Sequence, residues 1–154
     1  MYHFDFIQSM NSSITSIVLP DWTCNDLYYT IFDFSRFTLL ESIEIGDDCF
    51  ESVQTFRIDG LNRLKTIKIG NNSFTHAKNG WRDDEWKSFH ILNCESLESI
   101  QIGKYSFNEF AGEFELKNLP QLQSIQIGTI GRKSYNSYSS SFVIRGIELI
   151  LNIE

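Results

Sequence analysis

The sequence predicts an all-β fold, a parallel β solenoid with two short strands per turn and little helix. Three observations lead there. The motif LxxIxIG occurs four times, as LESIEIG at 40–46, LKTIKIG at 64–70, LESIQIG at 97–103 and LQSIQIG at 122–128. A second pattern, FxI, precedes each copy: Phe32-Asp33-Phe34, Phe56-Arg57-Ile58, Phe89-His90-Ile91 and Phe114-Glu115-Leu116, with Phe142-Val143-Ile144 opening a last turn. The chain also carries 13 Phe against 2 Pro and 2 Met, a bias toward residues that suit a pleated surface.

Each element follows from this phasing. IxI and FxI alternate with period two, the signature of a half-buried strand, and no stretch shows helical periodicity over a helix length. A single turn cannot bury its one-sided apolar row, so turns stack and parallel strands repeat at about 4.8 Å. The repeated glycines, Gly46, Gly70, Gly103 and Gly128, are spaced 24, 33 and 25 residues apart, so one repeat carries an insertion. That column predicts a tight corner needing positive φ or close backbone approach. Gly60, Asn93, Asn118 and Gly146 share a column before the corner leucine, where the left-handed region is favoured; Arg36 is the exception. Twelve Phe fall in core columns, leaving Phe110 alone outside.

Residues 1–154 read as one domain of five to six turns, with an irregular first turn at 1–31, an insertion at 75–88 and an irregular loop at 129–141. Lys and Arg total 13 against 20 Asp and Glu, a net charge of -7, which excludes the broad basic face that phosphate backbones require. No apolar run reaches the roughly 20 residues that span a bilayer, so no membrane insertion is expected. The cysteines, Cys24, Cys49 and Cys94, follow the core phasing and predict free buried thiols. Their spacing fits neither a disulfide framework nor a zinc site.

LxxIxIG followed by (S/C)F, with corner segments such as NCESLESI, resembles leucine-rich repeats, specifically the short-repeat BspA-like subclass, over residues 14–153. The resemblance implies a right-handed solenoid that binds proteins or surface ligands through its strand-lined face, often within a longer cell-surface chain. Complete as it stands, the chain is expected to be cytoplasmic; as a fragment of a longer protein, at the cell surface.

Two surfaces are candidates for binding a protein or peptide. On the IxI strands the outward positions form ladders. Ser42, Thr66, Ser99 and Ser124, preceded by Ser16, make a hydroxyl column. Glu44, Lys68, Gln101 and Gln126, preceded by Val18, make a mixed one beside it, with Glu44–Lys68 and Glu41–Lys65 as expected ion pairs. The insertion gathers Trp81, Arg82, Asp83, Asp84, Glu85 and Trp86, and Trp and Arg are frequent interface anchors. The FxI strands expose Asp33, Arg57, His90, Glu115 and Val143, read as a charge ladder that neutralises neighbours and helps fix register. His90 beside Glu115 is the one His/carboxylate pair the phasing creates, and general acid–base work needs a nucleophile or substrate pocket as well. No catalytic, cofactor or metal site is therefore expected. Phe142, Ile144, Ile147, Ile150 and Ile153 run in phase to the C-terminus, which predicts an edge covered by further sequence or by end-to-end self-association.

Overall fold

A computed structural model describes residues 9–76 and 85–128, together with the backbone of 141–145. Among these the regular structure is nearly all strand, with essentially no helix. The strands, in chain order, are β1 (Ser16–Leu19), β2 (Ile31–Asp33), β3 (Ser42–Ile45), β4 (Thr55–Asp59), β5 (Thr66–Ile69), β6 (Ser88–Leu92), β7 (Ser99–Ile102), β8 (Glu113–Lys117), β9 (Ser124–Ile127) and β10 (Ser141–Arg145). They form two five-stranded sheets, ordered β1-β3-β5-β7-β9 and β10-β8-β6-β4-β2. Every pairing is parallel. The chain therefore visits the two sheets alternately: LxxIxIG supplies the first, here the IxI sheet, and FxI the second. Pairing follows the repeat phase without slip, Ile43 opposite Ile67, Ile67 opposite Ile100 and Phe56 opposite Phe89. A one-residue slip would turn every core side chain outward.

The core lies between the sheets and is a continuous aromatic and aliphatic stack. Phe32, Phe56, Phe89 and Phe114 stack face to face at 4.7, 4.7 and 4.1 Å, close to the parallel-strand spacing. A second column, Phe50, Phe74 and Phe107, stacks at 5.1 and 4.6 Å and meets the first edge-on. Phe110, which the phasing leaves outside, is buried too. Its ring stands edge-on to Phe107 at 5.0 Å. Of the thiols, Cys49 and Cys94 are buried and Cys24 is half-buried, and none of the three is in a disulfide.

The corners explain residue choices that periodicity alone leaves open. Gly46, Gly70 and Gly103 do not have positive φ; among the glycines of that column only Gly128 does, at 76°. Close approach is the reason: a Cβ on Gly70 would stand 2.6 Å from the Gly46 carbonyl carbon, and one on Gly103 2.4 Å from that of Gly70. The left-handed positions fall instead on Asp48, Asn72 and Tyr105, and again on Phe50, Phe74 and Phe107, all with φ between 52° and 64°. A left-handed phenylalanine costs about 1–2 kcal/mol. Phe74 makes four ring contacts, each worth about 0.5–1.5 kcal/mol beyond burial, so packing outweighs strain. Of the other expected left-handed column, Gly60, Asn93 and Asn118 have φ of 73°, 53° and 54°, and Gly146 lies outside the described residues.

The corners are also latched by side chains. Ser73 Oγ accepts the Cys49 N–H at 3.1 Å and donates to the Gly46 carbonyl at 2.9 Å. Ser106 does the same for the Ser73 N–H and the Gly70 carbonyl, and Cys49 for the Thr23 N–H and the Pro20 carbonyl. The (S/C) position is thus a small donor–acceptor that satisfies buried backbone groups between repeats. Two residues earlier, Asp21, Asp47 and Asn71 each accept, through Oδ1, the N–H of the equivalent residue one repeat on.

Candidate functional site

The IxI sheet buries Ile17, Ile43, Ile67 and Ile100 and turns the intervening side chains outward. In-register pairing aligns Ser16, Ser42, Thr66, Ser99 and Ser124 in one row and Val18, Glu44, Lys68, Gln101 and Gln126 in the next. Both ladders expected from the sequence are thereby brought together on one face. Lys68 Nζ lies 3.4 Å from Glu44 Oε1, with both side chains more than half exposed, so the pair contributes at most about 0.2–1 kcal/mol. The expected Glu41–Lys65 ion pair does not form. Those residues are joined through the backbone, Lys65 N–H to the Glu41 carbonyl at 2.8 Å, and their side chains are exposed.

Two hollows lie along this face. One, of about 280 Å³, is lined by Val18, Ser42, Glu44, Thr66, Lys68, Ser99 and Gln101 together with Ile43 and Ile67. The other, also about 280 Å³, runs from Lys68 and Gln101 past Asp47, Asn71 and Lys104 to Gln126 and Gly128. The two adjoin at Lys68 and Gln101 and together make a shallow trough across the ladders. Each hydroxyl in it offers one donor and two acceptor lone pairs, which suits amide and carbonyl groups of a bound segment.

The insertion is anchored on the other sheet. Of its expected contact residues, Trp81, Arg82, Asp83 and Asp84 lie outside the described residues; Glu85 and Trp86 are exposed, Trp86 at 87%. Trp86 stands just before β6, at the entry to the FxI sheet, whereas the hydroxyl ladder belongs to the IxI sheet. Directly after it, Lys87 is buried against the Glu109 carboxylate and over the Phe110 ring at 5.7 Å. Gly112 lets the backbone close in: its N–H donates to the Lys87 carbonyl at 3.1 Å, and a Cβ there would meet that oxygen at 2.5 Å. Sequence reasoning missed Lys87, Glu109 and Gly112, since a buried charge pair has no periodic signature. A third hollow, of about 270 Å³, opens above this pair and is lined by Leu27, Thr30, Ser52, Gln54, His76, Lys87 and Glu109.

On the FxI sheet the charge ladder takes a different form from the one expected. Arg57 pairs with Asp59 on its own strand at 2.5 Å, and Asp33 caps the Ser35 N–H at 2.9 Å. His90 and Glu115 are register partners on β6 and β8, with Nδ1 and Oε2 3.5 Å apart and both side chains mostly buried. No helix among the described residues is long and apolar enough to cross a membrane.

The chain matches no protein-family model, no curated protein and no solved structure. The functional reading accordingly rests on the geometry of these surfaces.

Proposed function

We propose that the chain is a non-enzymatic module of leucine-rich-repeat type, a parallel β solenoid that binds an extended protein or peptide segment across the outward face of the IxI sheet. The observation that supports this most is the trough over Ser42, Thr66, Ser99, Lys68 and Gln101, where two hollows adjoin above side chains rich in hydrogen-bonding groups. The floor is rigid, since each outward side chain alternates with an isoleucine at most 2% exposed in β3, β5 and β7. Preorganised polar groups cost little to order on binding. Trp86 and the insertion offer a second, separate contact. Its indole is a large amphipathic surface of the kind that anchors interfaces.

The edge strand of the IxI sheet favours a second role, that of a structural segment in a longer repeat array at a cell surface. In β9 Ile125 and Ile127 are only partly buried, whereas Ile100 and Ile102, their equivalents one repeat earlier, are 2% and 1% exposed. A further repeat or a second copy stacked on this end would cover them.

Selection of peptides from a random library on the immobilised chain tests the binding reading. Selected peptides are expected to lose affinity for Thr66→Arg with Ser99→Arg, which fills the trough, and to retain it for Arg63→Ala. Peptides that bind the filled variant as well as the wild type would refute the assignment of this face.

A further inference from the structure

The FxI sheet carries a set of ligating groups that the repeat pattern alone does not explain. His90 occupies the middle of β6 and Glu115 is its register partner on β8; Glu113 precedes Glu115 by two residues and so shares its face. One ligating atom from each of the three lies within 4.8 Å of the others. His90 Nδ1 is buried and makes no hydrogen bond, although Glu115 Oε2 is 3.5 Å away. That separation exceeds the roughly 2.7–3.2 Å of an N–H···O bond. It matches two ligands of one ion: metal–nitrogen and metal–oxygen bonds of about 2.0–2.2 Å at a tetrahedral angle set the donors roughly 3.3–3.5 Å apart.

We propose that His90, Glu115 and Glu113 form a site for a divalent transition-metal ion, with zinc the best fit. Two carboxylates and a neutral imidazole together carry the charge that balances a dication. The mixed nitrogen and oxygen set favours zinc over calcium or magnesium, which prefer oxygen alone. His90 and Glu115 are held by packing, with side chains 14% and 17% exposed, and Glu113 is exposed at the rim, so an ion enters from solvent past Glu113. The nearest competing cation on the neighbouring strand, the Arg57 guanidinium, is engaged by Asp59 at 2.5 Å. Three protein ligands leave a fourth position for water or for a donor from a partner, the arrangement of an open zinc site. The ligands come from two strands, His90 from β6 and both glutamates from β8, so no single linear spacing in the sequence marks the set.

The test is calorimetric titration of the chelator-treated full chain with zinc chloride, alongside calcium chloride and the variants Glu113→Gln, His90→Ala and His76→Ala. The expected result is saturable uptake of one zinc per chain and weak or no calcium binding. Glu113→Gln should weaken zinc at least about tenfold, since even outer-shell partners cost that much. His90→Ala should abolish binding, and His76→Ala should leave it unchanged. Glu113 is exposed, so its variant tests the site even if His90→Ala folds poorly. No saturable uptake, calcium binding as tight as zinc, or zinc uptake that survives both Glu113→Gln and His90→Ala would overturn the proposal.

Discussion

At the scale of single residues, the repeat is written in positions whose job is to satisfy backbone groups. Ser73 both accepts the Cys49 N–H and donates to the Gly46 carbonyl, wholly within the core boundary. Ser73→Ala leaves those groups without their side-chain partner and is expected to cost about 1–3 kcal/mol in urea denaturation. Ser73→Cys should recover most of the loss, because Cys49 already serves the same column through its sulfur. Equal losses for Ala and Cys would mean that the latch contributes nothing beyond packing. Cys94 yields a pH prediction. Burial, reinforced by the nearby Asp59 carboxylate, pushes its thiol from 9.0 up to about 11. The unfolded chain therefore releases this proton at lower pH than the folded one. The stability it contributes is complete below pH 9 and is lost as pH rises from there toward 11. Cys94→Ala should flatten the decline of the urea midpoint over that window, and an unchanged slope would contradict the assignment.

At the scale of elements, the strands were legible because period two is a strong signal and four copies repeat it in phase. The outward ladders could be read with them, since register follows directly once LESIEIG, LKTIKIG, LESIQIG and LQSIQIG are stacked. The corners were less legible. The sequence leaves Gly70 open between positive φ and close backbone approach, and the stacking distance to the neighbouring backbone decides for the second. The return of the insertion was not legible at all: Lys87, Glu109 and Phe110 meet through tertiary packing of the insertion's return on the turn before β8. Breaking that pair by Glu109→Ala strands a buried ammonium and is expected to cost about 3–5 kcal/mol. Lys87→Met with Glu109→Leu should be far milder than the sum of the single changes. An additive double-variant cycle, measured by thermal or urea unfolding, would show that the two groups do not act as a pair.

At the scale of the whole molecule, the proposed binding face depends on the repeats staying in register across the insertion. Only then do Thr66 and Lys68 of β5 lie beside Ser99 and Gln101 of β7, so that the trough is one surface rather than two fragments. The same register brings Phe56 onto Phe89 and Arg57 beside His90 on the other sheet. The proposed binding face rests on that register, whereas the proposed metal site rests on the pairing of β6 with β8 beyond the insertion. The most direct measurement is a set of nuclear Overhauser contacts on the isotopically labelled chain in solution. The account predicts contacts from the Ile67 backbone to that of Ile100, and from Phe56 to Phe89, with the pattern of parallel pairing. Contacts that join these strands in antiparallel order, or that pair Ile67 with the FxI strand at Ile91 instead of with Ile100, would contradict it.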